Sequence, residues 1–183
     1  MNDKNSFGAQ LICLKEIFDC RLFTVPDYQR SYAWDGKQVE ELLKDIDHLL
    51  ADEEIHCHYT GTLVLNRVSE QDLGNEYHVV DGQQRLTTMV IIAQALLVYM
   101  PEAERQDIDA LYLRRGPFGS DRPVLQLNSD TRSFFERVII GNIDSNQELK
   151  SLEAHKRLHH AKNLVSDWMR DHFAAGVSVE HLR

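Results

Sequence analysis

The stretch Tyr77–Thr88, with the sequence YHVVDGQQRLTT, decides the fold because it predicts a strand, a tight turn and the start of a helix. The strand is predicted over Glu76–Val80, and Gly82 permits a tight turn that a side chain would obstruct. Beyond the turn, apolar residues recur at the spacing of one buried helix face: Leu86, Met89, Val90, Ala93, Leu96 and Leu97. Pro101 ends this helix, since proline disfavours the helical conformation in the residue before it.

The predicted turn has the chemistry of an anion site. The first amides of a helix lack internal partners, and the helix dipole favours an anion there. Arg85 adds a planar charged fork suited to phosphate, Thr87 and Thr88 add hydroxyls, and Asp81 offers a carboxylate to Mg²⁺ or to its waters. The alternative is that Asp81 and Gln84 form a capping box that needs no ligand. That alternative leaves unexplained a cationic Arg85 at the positive end of a helix.

A second motif, VPDYQRSYAW over Val25–Trp34, lies between a predicted strand and a predicted helix. Arg30 is suited to a phosphate, and Tyr28, Tyr32 or Trp34 is suited to stacking on a base. The alternative is that the aromatic residues anchor the loop to the core, and for Trp34 this is the stronger interpretation.

The remaining elements predict an α+β fold with a mainly helical second half. Tyr59–Val68 is predicted to pair with Glu76–Val80 as a hairpin, and Asp35–Gln38 has the pattern of a capping box. The other predicted elements are a strand at Arg21–Val25, a strand at Val124–Leu127, and helices at Leu11–Phe18, Glu102–Arg114, Asp130–Ile140 and Gln147–Phe173.

Composition narrows the class of protein. The chain has 20 Lys and Arg against 29 Asp and Glu, a net charge of −9, so any contact with DNA needs a local basic patch or another domain. The three cysteines are scattered, which favours a reducing compartment and argues against a cysteine zinc site. Met1–Gln10 lacks a signal-peptide core, and Met89–Met100 is too short to span a bilayer. We therefore expect a bacterial-type cytoplasmic protein without a membrane segment.

Other motifs carry weaker signals. No P-loop or Gly-x-Ser-x-Gly elbow occurs. His56-Cys57-His58 and the helical set His155, His159 and His160 lack further ligands at zinc spacing, so a solvated helix face is the plainer interpretation of the helical set. Arg114, Arg115 and Arg122 are able to contact DNA phosphate, but exposed loop arginines without such a role are more common.

Three segments together resemble a known family. They are Pro26–Trp34, Tyr59–Leu65 with the sequence YTGTLVL, and Val80–Thr88, in the order and spacing of the N-terminal domain of GmrSD-type modification-dependent restriction proteins. The resemblance extends from Leu11 to about Trp168. A lone DGQQR would be a weak signal, whereas its combination with YQRSYAW is highly specific.

The resemblance implies a ParB/sulfiredoxin-like fold, a small mixed sheet with surrounding helices. It implies a nucleotide-binding core at 1–100 and a mainly helical extension at 101–183. Members are expected to bind and hydrolyse nucleoside triphosphates and to gate an HNH-type nuclease, in cis or in trans, in defence against modified phage DNA. The typical Phe-x-x-Asn-x-x-Gly segment and nuclease motif do not occur before Arg183, so any cleavage activity is expected outside this chain.

The resemblance also implies site residues. Asp81, Gly82, Gln83, Gln84 and Arg85 would form the phosphate side, and Gln29 and Arg30 the second arm. Sulfiredoxins carry a reactive cysteine and a histidine where this chain has Gln83 and Gln84, so sulfiredoxin chemistry is excluded.

The expected mechanism assigns catalysis to Asp81, Arg85 and Arg30, and Asp81 either holds Mg²⁺ or orients the attacking water. The predicted nucleotide-binding set is Tyr28, Gln29, Arg30, Asp81, Gly82, Gln83, Gln84, Arg85, Thr87 and Thr88. The alternative function is a non-catalytic sensor of modified DNA. The sequence leaves open the preferred nucleotide and whether the domain forms a homodimer.

Overall fold

The strands and helices of the computed structural model confirm the α+β class. The structure describes residues 8–51, 58–71, 74–116, 121–143 and 152–179. The strands are β1 (Arg21–Thr24), β2 (Val64–Gln71), β3 (Gly74–Asp81), β4 (Arg114–Arg115), β5 (Arg122–Pro123) and β6 (Leu125–Gln126). The helices are α1 (Leu14–Phe18), α2 (Gly36–Ala51), α3 (Gln83–Leu96), α4 (Glu102–Ile108), α5 (Ser129–Phe134) and α6 (Glu153–Ala174).

The main sheet has four strands in the order β2-β3-β1-β6. β1 runs parallel to both β3 and β6, and β2 runs antiparallel to β3, which confirms the predicted hairpin. The prediction that β2 begins at Tyr59 is wrong, since the strand begins at Val64. Gly61 has a φ of +107°, which an extended strand does not allow, and the chain before Val64 instead contacts Arg85 on α3.

Helix α3 is buried on almost all sides, so the prediction of a single buried face is wrong. It packs against α6 and against two π-helical segments, Asp109–Leu113 and Phe135–Ile140. A helix enclosed in this way does not need a polar face. Its buried residues are Gln83, Gln84, Leu86, Thr87, Thr88, Met89, Val90, Ile91, Ala93 and Leu96.

The two π-helical segments correct the predicted helices Glu102–Arg114 and Asp130–Ile140. Each segment directly continues a short α-helix, α4 or α5, and the first ends in β4. The second segment buries the consecutive residues Val138, Ile139 and Ile140. A π-helical turn is wider than an α-helical turn, so the spacing of apolar residues that predicts an α-helix does not distinguish the two.

The beginning of α2 confirms the predicted capping box. The backbone N–H of Asp35 donates to Gln38 Oε1 at 2.9 Å, and Asp35 Oδ1 accepts from the N–H of Lys37 at 3.0 Å. Of the long helix predicted from Gln147, residues 147–151 lie outside the described residues, and α6 begins at Glu153.

The segments 1–100 and 101–183 share one sheet and one hydrophobic core. β6 completes the sheet beside β1, and the core combines Val79 and Val90 with Phe135 and Val165. The division into a nucleotide-binding core at 1–100 and a helical extension at 101–183 stays a prediction, as does the ParB/sulfiredoxin-like relationship. Among the helices of the described residues, none is long and apolar enough to cross a membrane.

Candidate functional site

The turn between β3 and α3 has the predicted strand–glycine–helix geometry. β3 ends at Asp81, Gly82 is left-handed with a φ of 88°, and α3 begins at Gln83. The predicted capping box of Asp81 and Gln84 is wrong. Gly82 is the N-cap and no side chain caps the helix, because Asp81 still belongs to the strand and the Gln84 side chain is bound elsewhere. The first turn of α3 therefore keeps its positive dipole end without an internal counter-group.

The two glutamines of the turn fasten the second motif to α3. Gln83 Nε2 donates to the carbonyl of Arg30 at 2.9 Å. Gln84 Oε1 accepts from the N–H of Ala33 at 2.7 Å, and its Nε2 donates to the carbonyl of Ser31 at 3.4 Å. Both glutamines are buried and their side-chain amides are bound to the loop, so these side chains are not free to bind an anion at the turn.

Gln29, in the loop of the second motif, also connects this loop to the turn between β3 and α3. Its Nε2 donates to the carbonyl of Val80 at 3.0 Å, directly before Asp81. The structure thus brings the YQRSYAW and DGQQR motifs together, and it does so through side-chain amides bound to backbone groups. This junction fixes the backbone of Arg30 beside the start of α3.

The charged residues of the site face solvent. Asp81 and Arg30 are exposed, and neither side chain makes a hydrogen bond or ion pair with another described residue. Arg85 is half-buried, and its Nη1 donates to the carbonyl of Thr62 at 3.1 Å. Arg85, in the first turn of α3, and Arg30, in the adjacent loop, thus have no carboxylate partner in the described residues.

Thr87 and Thr88 lie inside the protein. Their hydroxyls donate to the carbonyls of Gln83 and Gln84 at 2.7 and 2.9 Å, one turn back along α3. Thr88 Oγ1 is also 2.9 Å from the hydroxyl of Tyr32. Burial raises the pKa of Tyr32 to about 12, and the hydrogen bond with Thr88 opposes this rise only in part. The predicted role of both threonines as nucleotide ligands stays a prediction.

The aromatic residues of the second motif differ in their surroundings. Tyr32 is 4% exposed and Trp34 packs against the core, as the anchoring interpretation expects. Tyr28 is 75% exposed. Of the three rings, that of Tyr28 is therefore the most accessible to a ligand.

Asn128, which was not among the predicted site residues, holds the loop from the other side. It is 3% exposed, and its Nδ2 donates to the carbonyl of Gln29 at 3.0 Å and to Ser31 Oγ at 3.2 Å. Its Oδ1 accepts from the hydroxyl of Thr131 at 2.7 Å. Asparagine before a helix is a signal for a cap, but it does not indicate a bond to a loop about 100 residues earlier.

The same loop is tied at both of its ends. Asp27 Oδ1 accepts from the N–H of Ser129 at 2.7 Å, and this backbone hydrogen bond, followed by the Ser129 side chain, lowers the pKa of Asp27. At the other end, Arg157 of α6 donates to the carbonyl of Ala33 at 2.7 Å. Arg157 was not predicted either, and it connects α6 to the residue that Gln84 also holds.

The weaker sequence candidates do not form sites in the described residues. No group of three metal-ligating side chains occurs among them, and His56 and Cys57 lie outside them. His155 stacks on Phe134 with the ring centroids 4.4 Å apart. The basic cluster is engaged within the protein, since Arg115 donates to three backbone carbonyls and Arg122 pairs with Glu76 at 2.6 Å.

The YQRSYAW and DGQQR motifs thus meet at one turn of a small α+β domain. The chain belongs to the family described as GmrSD restriction endonuclease, N-terminal domain, whose model matches residues 14–175. No curated protein matches the chain.

Proposed function

We propose that this domain binds a nucleoside triphosphate with Mg²⁺ at the Asp81–Arg85 turn and hydrolyses it. The observation that carries the proposal is the uncapped start of α3 together with the unneutralised charges of Arg30 and Arg85. A purely structural turn would be more stable with a capping side chain and without a cation in the first turn. A polyphosphate removes both disadvantages, because it accepts from the free amides and pairs with the arginines.

The residues present fit a nucleotide-bound Mg²⁺ rather than a preformed metal site. Asp81 supplies one exposed carboxylate at the end of β3, and the described residues contain no cluster of three acidic or other ligating groups. Mg²⁺ is commonly held by one or two carboxylates, several waters and the phosphates of the substrate. Asp81 would hold the ion through its carboxylate or through its waters, and the ion would neutralise phosphate charge.

In the proposed hydrolysis, the oxygen of a water molecule forms a bond to the terminal phosphorus while the bond from that phosphorus to its bridging oxygen breaks; the products are a nucleoside diphosphate, inorganic phosphate and a proton released to solvent. The first-turn amides and Arg85 hold the phosphates, and Arg30 stabilises the negative charge that develops on the leaving oxygen. As an alternative to holding Mg²⁺, Asp81 would orient the attacking water. The exposed ring of Tyr28 is available to stack on the base.

We place this reaction in the regulation of an HNH-type nuclease, in cis or in trans, that acts on modified phage DNA. Ala33 connects the site to α6 by hydrogen bonds, which supports the transmission of a conformational change between them. Its N–H donates to the side chain of Gln84, and its carbonyl accepts from Arg157 on α6. The net charge of −9 disfavours strong DNA binding by this chain alone. Any DNA contact would therefore need a local basic patch or another domain.

Calorimetric titration of the four ribonucleoside triphosphates with Mg²⁺ tests the proposal. Arg85→Ala and Arg30→Ala should each weaken binding by about tenfold to a hundredfold, the loss of one charged hydrogen bond. Arg170→Ala is the matched control, because it removes the same charge from an exposed position on α6. Undiminished binding in both site variants would overturn the proposal. Absent nucleotide binding with modification-dependent DNA binding would instead establish a sensor.

A further inference from the structure

The segment Tyr59–Leu63 lies against the turn between β3 and α3. A Cβ atom added at Gly82 would lie 2.9 Å from Leu63 Cδ1 and 3.1 Å from the carbonyl oxygen of Thr62. The same carbonyl accepts the hydrogen bond from Arg85 Nη1 at 3.1 Å. Thr62 therefore contacts both the glycine and the arginine of the DGQQR motif.

Gly61 provides the surface on which the Arg85 guanidinium rests. A Cβ atom at Gly61 would lie 2.5 Å from Nη2, 2.7 Å from Cζ and 2.9 Å from Nη1 of Arg85. The φ of Gly61 is +107°, in the region that favours glycine. The guanidinium thus crosses the α-carbon at a distance that every other residue type would obstruct.

The orientation of Thr62 is itself held by a side chain. The hydroxyl of Tyr59 is 2.7 Å from Thr62 Oγ1, within a loop that is otherwise open to solvent. Tyr59 is 67% exposed. This bond restrains the side chain of Thr62, whose backbone carbonyl binds Arg85.

From these contacts we infer that Gly61 and Thr62 are positioning residues for Arg85, which fix its guanidinium for a phosphate at the turn. The inference rests on the proposed function. One of the five guanidinium N–H donors is used by Thr62, and this bond together with the close contact with Gly61 restricts the orientation of the group. A cation fixed in advance loses less conformational freedom when it binds a phosphate, so the affinity is higher than for a free side chain.

Gly61→Ala is the direct test, and this chain offers a matched control in Gly176→Ala. Gly176 has a φ of +91°, but a Cβ atom there would have no neighbour within 4 Å. The control therefore reproduces the backbone strain without the contact with Arg85. With inorganic triphosphate and Mg²⁺ as the probe, Gly61→Ala should lose about tenfold or more in affinity, and Gly176→Ala should bind as wild type does.

A double-mutant cycle separates positioning from general damage. In an Arg85→Ala background, Gly61→Ala should cause no further loss of affinity, since its effect acts through Arg85. Additive losses would overturn the inference. Tyr59→Phe is a milder variant that keeps the fold, and it should weaken binding by about twofold to tenfold through the lost hydrogen bond to Thr62. Wild-type affinity in Tyr59→Phe, together with wild-type affinity in Gly61→Ala, would also overturn the inference.

A readout without any ligand distinguishes failure of this inference from failure of the proposed function. The Nε–Hε NMR signal of Arg85, identified by its loss in Arg85→Lys, should move in Gly61→Ala and stay in place in Gly176→Ala. An unmoved signal in Gly61→Ala refutes the positioning role. If wild type binds no triphosphate, the proposed function fails, and the inference that Arg85 is positioned for a phosphate fails with it. A moved signal would then show only that Gly61 holds Arg85.

Discussion

Replacement of Gln84 by alanine should detach the second motif from α3. Gln84 is 7% exposed, and its side chain binds the N–H of Ala33 at 2.7 Å and the carbonyl of Ser31 at 3.4 Å. The substitution removes both bonds and leaves the N–H of Ala33 without its acceptor. Arg30 lies in the same loop, so its position beside the turn should become less well defined.

The magnitude follows from the geometry of the two bonds. The short bond to Ala33 contributes about 1 kcal/mol, and the amide left without an acceptor costs about a further 1–3 kcal/mol. The long bond to Ser31 adds little. We therefore expect the free energy of unfolding to fall by about 2–4 kcal/mol, which for a domain of this size corresponds to a fall in melting temperature of about 4–16 °C.

Urea unfolding followed by tryptophan fluorescence and circular dichroism measures this change. Gln94→Ala is the control, because Gln94 lies on the same helix, is half-buried and has no hydrogen bond with another described residue. It should change the free energy of unfolding by less than about 0.5 kcal/mol. A Gln84→Ala variant as stable as Gln94→Ala would refute the view that Gln84 holds the loop.

Three further predictions concern the same region. The pKa of Tyr32 is raised from 10.0 to about 12 in the folded state, so its contribution to stability is complete below pH 10 and is lost as the pH rises towards 12. Between pH 9 and pH 11, the free energy of unfolding measured with urea should therefore fall less for Tyr32→Phe than for wild type. In Gly82→Ala, the new Cβ would lie 2.9 Å from Leu63, and the backbone would also be strained at a φ of +88°. Thermal unfolding should therefore show that Gly82→Ala loses more free energy of unfolding than Gly176→Ala, by about 1 kcal/mol or more. Calorimetry should detect no tight binding of Mg²⁺ alone, and Asp81→Asn should weaken the binding of the Mg²⁺ triphosphate; tight binding of the free ion would contradict the single-carboxylate site.

The sequence predicts the order of strand, turn and helix at the site and the beginning of α2. Gly82 between a β-rich run and an apolar helical run predicted the strand–turn–helix, and Asp35 with Gln38 predicted the start of α2. Both are short-range patterns in which the determining residues lie within a few positions of one another. The meeting of the YQRSYAW and DGQQR motifs was expected from the family resemblance.

The hydrogen-bond partners of the buried polar side chains could not be predicted from the sequence. The spacing of Asp81 and Gln84 is typical of a capping box, but the Gln84 side chain instead accepts a hydrogen bond from the N–H of Ala33. Asn128 and Arg157 reach the loop across about 100 residues of chain or more. A periodic pattern records which face of an element is apolar, and it contains no information on which distant backbone group a polar side chain will bind.

The proposed function depends on the binding of phosphate by the backbone amides at the start of α3. The most direct measurement is a two-dimensional ¹H–¹⁵N NMR titration of the wild-type chain with a Mg²⁺-bound nucleoside triphosphate. If phosphate binds there, the largest saturable shifts occur at the amides of Gln83, Gln84 and Arg85. Saturable shifts centred on a different surface, or no shifts at these three amides at millimolar nucleotide, would contradict it.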